Sequence, residues 1–332
     1  QKYVKDLLQP KVKMPTTIGY GNGYQISYMN SGKMTNKGWE FRVDAVPFQN
    51  KDWRVGVYFN IAHNENKITE MPDNYIEENY TFGNGNYAYR REEGRPMGSF
   101  YGYRYKGVCQ NKDATYARDA DGNVMKDISG NAIVMRNGSY TVAPGDAIYE
   151  DVNHDGVINQ YDIVYLGNSN PRLTGGAGLN VSYKQFKLSA IFYGQDVVNA
   201  TRLNNESMRG IDNQSTAVLR RWRNEGDQTD IPRALYGEGY NTLGSDRFVE
   251  DASYLRIKNI SLGYTFPQKW LRRLQIDHLR LYVNIQNLCT ITGYKGYDPE
   301  IGALNYNVLL RGVDDARYPS QRIYTFGLNF NF

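Results

Sequence analysis

The stretch RIYTFGLNFNF, residues 322–332, alternates large apolar side chains with small or polar ones. Successive side chains of a β-strand project to opposite faces, so the apolar side chains at 324, 326, 328, 330 and 332 share one face. Two structures suit such a strand. It is either an edge strand of a soluble sandwich, whose apolar face covers a core, or a strand of a membrane β-barrel, whose apolar face meets lipid and whose polar face meets the lumen.

The composition favours many strands and turns over a helical bundle, because 29 Tyr and 33 Gly stand beside 11 Pro in 332 residues. No stretch reaches the roughly 18 consecutive apolar residues of a transmembrane helix, which excludes that class. The mean hydropathy of −0.65 does not exclude a barrel, whose strands are apolar on one face only. The net charge of +4 is too small and too dispersed to indicate nucleic-acid binding.

The same alternation recurs along the chain. In segment 53–61, for example, Trp53, Val55 and Val57 share one face, and Arg54 lies on the other. The polar faces carry charged and carboxamide side chains, which solvent can cover but a sandwich core cannot. The predicted strands are about 1–8, 39–46, 53–63, 176–184, 186–194, 253–266, 278–289 and 320–332.

The connections between these strands distinguish the two structures. Counted back from the last strand, they alternate between long and short: 290–320, 267–277, 195–253, 184–185, 64–175 and 47–52. Soluble domains rarely keep loops above about 15 residues. Outer-membrane barrels, in contrast, have short periplasmic turns and long extracellular loops.

Aromatic residues gather at the short-turn end, as in the girdle at a membrane interface. They are Phe48, Trp53, Tyr183, Phe186, Phe266, Trp270 and Phe332. The sequence therefore predicts an all-β fold, part of a transmembrane antiparallel β-barrel with a long extracellular loop region at 64–175. The residues expected to face lipid are Val55, Val57, Leu188, Leu281, Phe326, Leu328 and Phe330.

Several blocks of the sequence resemble one family over essentially the whole chain. They are GKMTNKGWEFRVDA (32–45), REEGRPMGSFYGYRYKGV (91–108), EDVNHDGVINQYDIVYLGNSNPRLTGGAGLNVSYKQFKLSAIFYGQ (150–195), SYLRIKNISLGYTFP (253–267), LRLYVNIQNLCTITGYKGYDPEI (279–301) and the closing strand. These blocks resemble the SusC-like (RagA-like) TonB-dependent outer-membrane transporters. The resemblance implies that the chain is the C-terminal portion of a 22-stranded barrel. The N-terminal plug and the TonB-interacting segment of the family are not visible in this sequence, which starts without Met.

The resemblance also implies a function. It implies import of an oligomeric nutrient across the outer membrane of a Gram-negative bacterium, with a glycan favoured over a peptide as the cargo. The implied partners are a SusD-like surface lipoprotein, the TonB complex and outer-membrane lipid, with no nucleic acid. An alternative stays open on the residues alone: a soluble, secreted, β-rich carbohydrate-binding module with a calcium loop.

Candidate substrate residues fall in two groups. Tyr101, Tyr103 and Tyr105 would lie on one face of a strand within the longest loop. They would serve either as a stacking surface for sugar rings or as packing between loops or against the lipoprotein. Three arginines on the polar strand faces, Arg42, Arg54 and Arg280, would suit a polar substrate in the lumen. The resemblance and the aromatic register further suggest that Phe332 helps the barrel-assembly machinery to recognise the last strand.

No catalytic pattern is recognisable, so we expect no enzyme. The histidines are scattered outside any zinc or triad spacing: His63, His154 and His278. The carboxylate pair Asp298 and Glu300 lacks a second catalytic feature, which favours a role on a loop surface. Cys109 and Cys289 are expected to be two unpaired thiols.

The segment DVNHDGVINQYD, residues 151–162, matches an EF-hand calcium loop at positions 1, 3, 5, 6, 8 and 12. Position 12 carries Asp rather than the usual Glu, and no helix is predicted before the loop. A metal-free turn rich in Asp, Asn and Gly is the alternative. The match predicts a structural Ca²⁺ that orders the 64–175 region, with Ile158 packed in apolar surroundings. The expected ligands are Asp151, Asn153, Asp155, Val157 (through its carbonyl), Asn159 (directly or through water) and Asp162.

Overall fold

The structure is a computed structural model. It describes residues 2–8, 11–15, 24–28, 32–73, 78–82, 85–89, 91–195, 198–201, 216–235, 239–302, 311–314 and 318–332. Among these residues, no helix is long and apolar enough to cross a membrane.

Eight antiparallel strands form one large sheet, and their order across the sheet is their order along the chain. They are β1 (Lys2–Leu8), β2 (Gly32–Gln49), β3 (Trp53–Glu70), β4 (Leu173–Tyr183), β5 (Phe186–Gln195), β6 (Tyr254–Thr265), β7 (His278–Thr292) and β8 (Ile323–Asn331). Each of the six inner strands therefore pairs with the strands before and after it in this series, as in an up-and-down barrel wall.

Two of these strands are much longer than the segments of their sequence in which apolar and polar residues alternate. β2 and β3 have 18 residues each, whereas a tilted membrane-spanning strand needs about 9–11. Their pairing continues to Lys33 opposite Glu70, where the two side chains form an ion pair. The expected boundary at residue 63 is therefore too early. Backbone pairing goes on where most side chains have become polar on both faces.

The pairing register places apolar side chains side by side across one face of the sheet. One such row contains Val55, Val181, Leu188, Leu262, Val283 and Phe326. Many apolar side chains of this face are exposed, among them Leu262 (49%) and Phe326 (77%). Of the residues expected to face lipid, Val57, Leu281, Phe326, Leu328 and Phe330 are exposed, and Val55 and Leu188 are half-buried by their neighbours. A continuous apolar face of this size suits a lipid environment.

Aromatic rings follow one another along the short-turn end of the same face. The ring centroids of Trp53 and Tyr183 are 4.3 Å apart, and those of Phe186 and Tyr264 are 4.7 Å apart. Phe266 continues the series, 5.1 Å from Tyr264. This arrangement is the girdle expected from the sequence, and Tyr264 is an additional member.

The opposite face of the sheet is polar and contains tyrosines that lie flat over glycines. A Cβ on Gly178 would overlap the ring of Tyr58, and a Cβ on Gly327 would overlap the ring of Tyr282. Because glycine has no side chain, the tyrosine ring of the neighbouring strand can occupy the space directly over its backbone.

Short turns close the sheet at one end. Asn50 accepts hydrogen bonds from the backbone N–H groups of Asp52 and Trp53, which fixes the β2–β3 turn. The turn was expected at 47–52, but β2 continues to Gln49, and a bulge between Ala45 and Phe48 accommodates the intervening proline. Lys184, with φ of 50°, forms the β4–β5 turn. The third turn contains the helix Gln268–Leu271 and the 3₁₀ helix Arg272–Leu274.

The long connections leave from the other end and contain short elements of their own. The strands are Lys11–Pro15, Tyr24–Tyr28, Glu78–Phe82, Gly85–Tyr89, Ser99–Gly102, Tyr105–Val108, Arg136–Asn137, Tyr140–Thr141, Ala147–Tyr149, Val164–Asn168, Val198–Thr201, Val249–Asp251 and Val313–Asp314. The 3₁₀ helices are Lys112–Thr115, Gln160–Asp162, Thr216–Arg220, Tyr240–Thr242 and Asp246–Phe248.

Two of these connections share one hydrophobic core. We call residues 91–172, 216–235 and 239–253 the loop body. Its core residues are Tyr103, Cys109, Val142, Ala147, Tyr149, Ile158 and Tyr240. The expected long loop is therefore a folded unit, and β3 and β4 confine it to residues 71–172.

Candidate functional site

The three arginines considered as substrate contacts lie on the polar face of the sheet, but apart from one another. Arg42 is exposed and its Nε lies 2.6 Å from Asp44 Oδ2, so its charge is already paired. Arg54 is exposed at the short-turn end, opposite Ser182. Arg280 lies four strands away from Arg54, which is roughly 20 Å at the usual strand spacing. These residues do not form a single site.

The tyrosines of the expected stacking surface are mostly buried. Tyr101 is 3% exposed and Tyr103 is 8% exposed, which leaves no free ring face for a sugar. The Tyr101 hydroxyl donates to Glu92 Oε2 at 2.7 Å, and Tyr103 packs on Tyr149. Tyr105 is half-buried and donates to the carbonyl of Asp230. The stacking interpretation is corrected: these side chains hold the loop body together.

The same residues were expected to share one strand, which is also corrected. Tyr101 belongs to Ser99–Gly102, and Tyr105 begins a separate strand that pairs with Ala147–Tyr149. The first strand pairs with Val164–Asn168, so the chain changes its pairing strand between Tyr101 and Tyr105. At that point the backbone N–H of Tyr103 donates to the carbonyl of Gly244.

A buried carboxylate joins the two connections of the loop body. Asp146 is fully buried, and one of its oxygens accepts from Arg233 Nε at 2.7 Å. The other oxygen accepts from the Tyr140 hydroxyl at 2.6 Å, and the carboxamide of Asn241 completes the set at 3.1 Å. The hydrogen bond to Asp146 raises the pKa of the Arg233 guanidinium, against the opposing effect of burial. A charged, fully hydrogen-bonded cluster of this kind fixes one arrangement of the two segments.

A second ion-pair cluster ties the 293–322 connection to the sheet. Arg256 on β6 is 2% exposed, and its guanidinium pairs with Asp298 and, at 2.8 Å, with Glu300. Lys258 contacts the same Glu300 carboxylate at 2.7 Å. Asp298 and Glu300 were expected to be surface residues of a loop, and this expectation is wrong for Asp298. Its side chain is 13% exposed and anchors the connection to the strand.

Asp298 should keep this anchor closed over a wide pH range. Burial would raise its pKa, but the N–H groups of Ser320 and Glu300 and the Arg256 guanidinium outweigh burial and lower it to about 2. A lowered pKa stabilises the folded state above the unfolded value of about 3.9, and the contribution is lost as pH falls through the folded value. We therefore expect protease sensitivity of segment 293–322 to be flat from pH 8 to 5 and to rise only between about pH 4 and 2. A rise near pH 6 would contradict this assignment.

The residues of the expected calcium loop fall into two sets. Asp151, Asn153 and Asp155 gather around one turn: Asp151 Oδ2 accepts from the N–H of Gly156 at 2.7 Å, and Asn153 donates to Asp155 Oδ2 at 2.9 Å. Ile158 is fully buried in the loop-body core, as expected. The carbonyl of Val157 accepts from Asn159 Nδ2.

Asp162 lies differently from the others. It is fully buried, and its two oxygens accept from the backbone N–H groups of Val152 and Asn159, each at 2.8 Å. Burial raises its pKa, with the charge of Asp151 contributing in the same direction. In the ranges that the structure describes, no group of three or more His, Cys, Asp or Glu side chains is arranged to hold a metal. The first set carries oxygen donors of the kind that calcium binds. Asp162 instead completes a capping box, in which its side chain accepts from the backbone N–H of Asn159, the N-cap residue of the 3₁₀ helix Gln160–Asp162.

The cysteines are both free, as expected. Cys109 is buried in the loop-body core, and burial raises the pKa of its thiol to about 12. It therefore stays a neutral, unreactive thiol.

Comparison with known proteins gives consistent results. No protein-family model matches the chain. TonB-dependent receptor P3 of Formosa agariphila is 32% identical over 99% of the chain and 31% of the relative. TonB-dependent receptor SusC of Bacteroides thetaiotaomicron is 29% identical over 98% of the chain and 29% of the relative. The chain thus spans about a third of the length of its curated relatives.

Solved structures support the same fold. The RagAB peptide transporter aligns with a TM-score of 0.66 over 99% of this chain and 32% of that chain, at 24% identity. The fold class expected from the sequence, part of a transmembrane antiparallel β-barrel, is thereby confirmed. The chain belongs to the family of SusC-like TonB-dependent outer-membrane transporters, and its eight-stranded sheet is part of the barrel wall.

Proposed function

We propose that the protein carrying this chain imports an oligomeric nutrient across the outer membrane of a Gram-negative bacterium, with energy supplied through TonB. The supporting observation is the eight-stranded sheet, whose exposed apolar face suits lipid and whose polar face suits an aqueous lumen. The names of the relatives agree with this role. The long connections, with the loop body, would face the outside, where cargo arrives.

A surface lipoprotein of the SusD type is the proposed partner, as the resemblance to SusC-like transporters implies. We propose a glycan as cargo, and a peptide is the second candidate because the RagAB relative is named a peptide transporter. The scattered positions of Arg42, Arg54 and Arg280 favour neither candidate.

An uptake experiment tests this function. The gene for the full-length protein is deleted and restored in its host, and uptake of fluorescent oligosaccharides and oligopeptides is measured with and without TonB. We expect one class of oligomer to enter only when both the protein and TonB are present. Unchanged uptake of every oligomer after deletion would contradict the proposal.

We propose that the loop 151–162 holds a structural Ca²⁺ through Asp151, Asn153, Asp155 and the Val157 carbonyl, with Asn159 acting directly or through water. Asp162 would become a ligand only if its bonds to Val152 and Asn159 were exchanged. Extracellular calcium is millimolar, so an affinity of about 10⁻⁴–10⁻³ M is sufficient.

Replacing Asp151 and Asp155 together by asparagine tests the calcium site. Asparagine retains an acceptor oxygen for the turn but removes the charge that binds calcium. We expect millimolar Ca²⁺ to protect the loop body of the unaltered protein from protease relative to EGTA, and the variant to lose this difference. Asp119→Asn is the control, because Asp119 accepts similar backbone bonds from Asp121 and Asn123 in a separate turn. Equal digestion of the unaltered protein with Ca²⁺ and with EGTA would reject the site.

Removing Phe332 should lower the amount of assembled barrel without lowering the stability of the barrel that does assemble. Phe332 follows the last paired residue, Asn331, and is 86% exposed, so its ring adds little packing. Its proposed role is recognition during assembly. Surface abundance and thermal unfolding are measured for the deletion and for Phe332→Trp, which should behave normally. Normal abundance of the deletion variant would refute this role.

A further inference from the structure

A polar pocket of about 370 Å³ lies on the polar face of the sheet, at the end where the long connections leave. Its described walls come from β2 with β3, from the 71–172 connection, and from Gly302 and Arg311 of the 293–322 connection. The side chains that matter are Asn36, Asn64, Asn66, Met97, Asn170 and Arg311. Its size is within the range of small-ligand sites, roughly 300–1,000 Å³.

Hydrogen bonds between the walls hold the carboxamides in place. Asn66 donates to Asn36 Oδ1 at 2.8 Å and accepts from the N–H of Met97 at 2.7 Å. Asn170 donates to the carbonyl of Met97 at 2.8 Å. The backbone at Met97 therefore fixes two carboxamides from different walls, which preorganises the pocket.

Several donors of the pocket remain available to a ligand. The amide nitrogen of Asn36 and the whole carboxamide of Asn64 make no hydrogen bond to other residues that the structure describes. Asn64 lies on the same face of β3 as Asn66 and is exposed. These groups can donate to oxygen atoms of a bound molecule.

The described residues that line the pocket carry one positive charge. Arg311 is its charged lining residue, and no carboxylate of the described chain lines it. Arg311 is exposed and forms no ion pair with a described residue. A guanidinium beside carboxamide N–H donors suits a carboxylate, because the charge-assisted bond is geometrically specific and roughly twice as strong as a neutral one.

We propose that this pocket binds a carboxylate group of the cargo at the outer end of the lumen. This inference rests on the proposed import function and adds the chemical class of the substrate. The carboxylate can come from a uronic acid residue of a glycan or from the C-terminus of a peptide. A neutral oligosaccharide would use the carboxamides and leave the guanidinium without a partner.

Binding to matched acidic and neutral probes tests the proposal. The full-length protein in nanodiscs is titrated calorimetrically with pentagalacturonate and its methyl ester, and with pentaalanine and its C-terminal amide. We expect one acidic probe to bind at least about tenfold more tightly than its neutral counterpart, as a charge-assisted hydrogen bond requires. The pair that shows the difference identifies the source of the carboxylate.

The variants then assign the preference to the pocket. Arg311→Gln should abolish the preference for the acidic probe. Asn64→Ala, at the exposed rim, should weaken the binding of both the acidic and the neutral probe of the pair. Arg272→Gln removes the same charge from the short-turn end and should leave the preference intact. A protein without preference for either acidic probe, or a preference that survives Arg311→Gln, overturns the carboxylate site. If a neutral oligomer is taken up in the TonB experiment, the proposed import function holds and the proposed carboxylate site is refuted.

Discussion

Replacing Val283 with arginine is expected to destabilise the membrane-embedded sheet by about 2 kcal/mol, between the roughly 0–1 kcal/mol of the interface and the roughly 2–4 kcal/mol of the bilayer midplane. Val283 lies on β7 between Leu262 and Phe326, one apolar row further into the sheet than the aromatic girdle. An arginine there would leave its charge in the hydrocarbon, because its side chain has further to reach before it meets water. Leu281 lies nearer the membrane interface, because it pairs with Tyr264 in the girdle row. Arginine at 281 should therefore cost less, about 0–1 kcal/mol.

Denaturant unfolding in lipid vesicles measures these differences. Val283→Ala separates the loss of side-chain contacts from the introduction of charge. Asn284→Arg adds the same charge on the neighbouring residue, which faces the lumen between Ser261 and Thr325. It should be tolerated much better than Val283→Arg. Equal damage from the two arginines would mean that the face we assign to lipid is not in contact with it.

Replacing Arg256 with methionine is expected to release the 293–322 connection from the sheet, at a cost of about 3–5 kcal/mol. The change removes the charge that neutralises Asp298, whose side chain is mostly buried, and leaves that carboxylate without its guanidinium partner. The hydrogen bond from Arg256 to Thr290 is lost as well. Limited proteolysis of segment 293–322 and unfolding of the intact protein should both report the change.

Lys258→Met is the matched control for this experiment. Lys258 contacts the same connection through Glu300, but both side chains are about a third exposed, so the pair should contribute less than about 1 kcal/mol. Adding Asp298→Asn to Arg256→Met should recover part of the loss, because no buried charge then remains unpaired. If the lysine change were as harmful as the arginine change, the burial of Arg256 would not be the cause.

The strands and the girdle were predictable because their signals are local. Alternation along segments such as 322–332 and the lengths of the connections are both visible in the sequence. The extension of β2 before residue 39 and of β3 beyond residue 63 was not, since these segments are mostly polar and lack a regular apolar face. The burial of Tyr101 likewise depends on residues such as Glu92 and Tyr165 that meet it only in the folded loop body.

The site residues were harder to predict than the fold. Arg256 is one of many polar residues on strand faces, and its partner Asp298 lies 42 residues further along the chain. Nothing in the local pattern joins them. The same holds for Asp146 and Arg233, which are 87 residues apart. Such pairs form only when two whole connections pack together in the folded protein. The spacing of residues within a motif does not specify that packing.

The loop body has a consequence for the order in which this protein can fold. β3 and β4 pair directly, with His63 opposite Leu173, although the whole 71–172 connection separates them in sequence. A disordered chain of that length would oppose this pairing through its closure entropy. A segment that first collapses around its own tyrosine-rich core brings its two ends close together, and the strands then meet as if a short tether linked them. The wall could then grow hairpin by hairpin, each new strand joining the one made just before it.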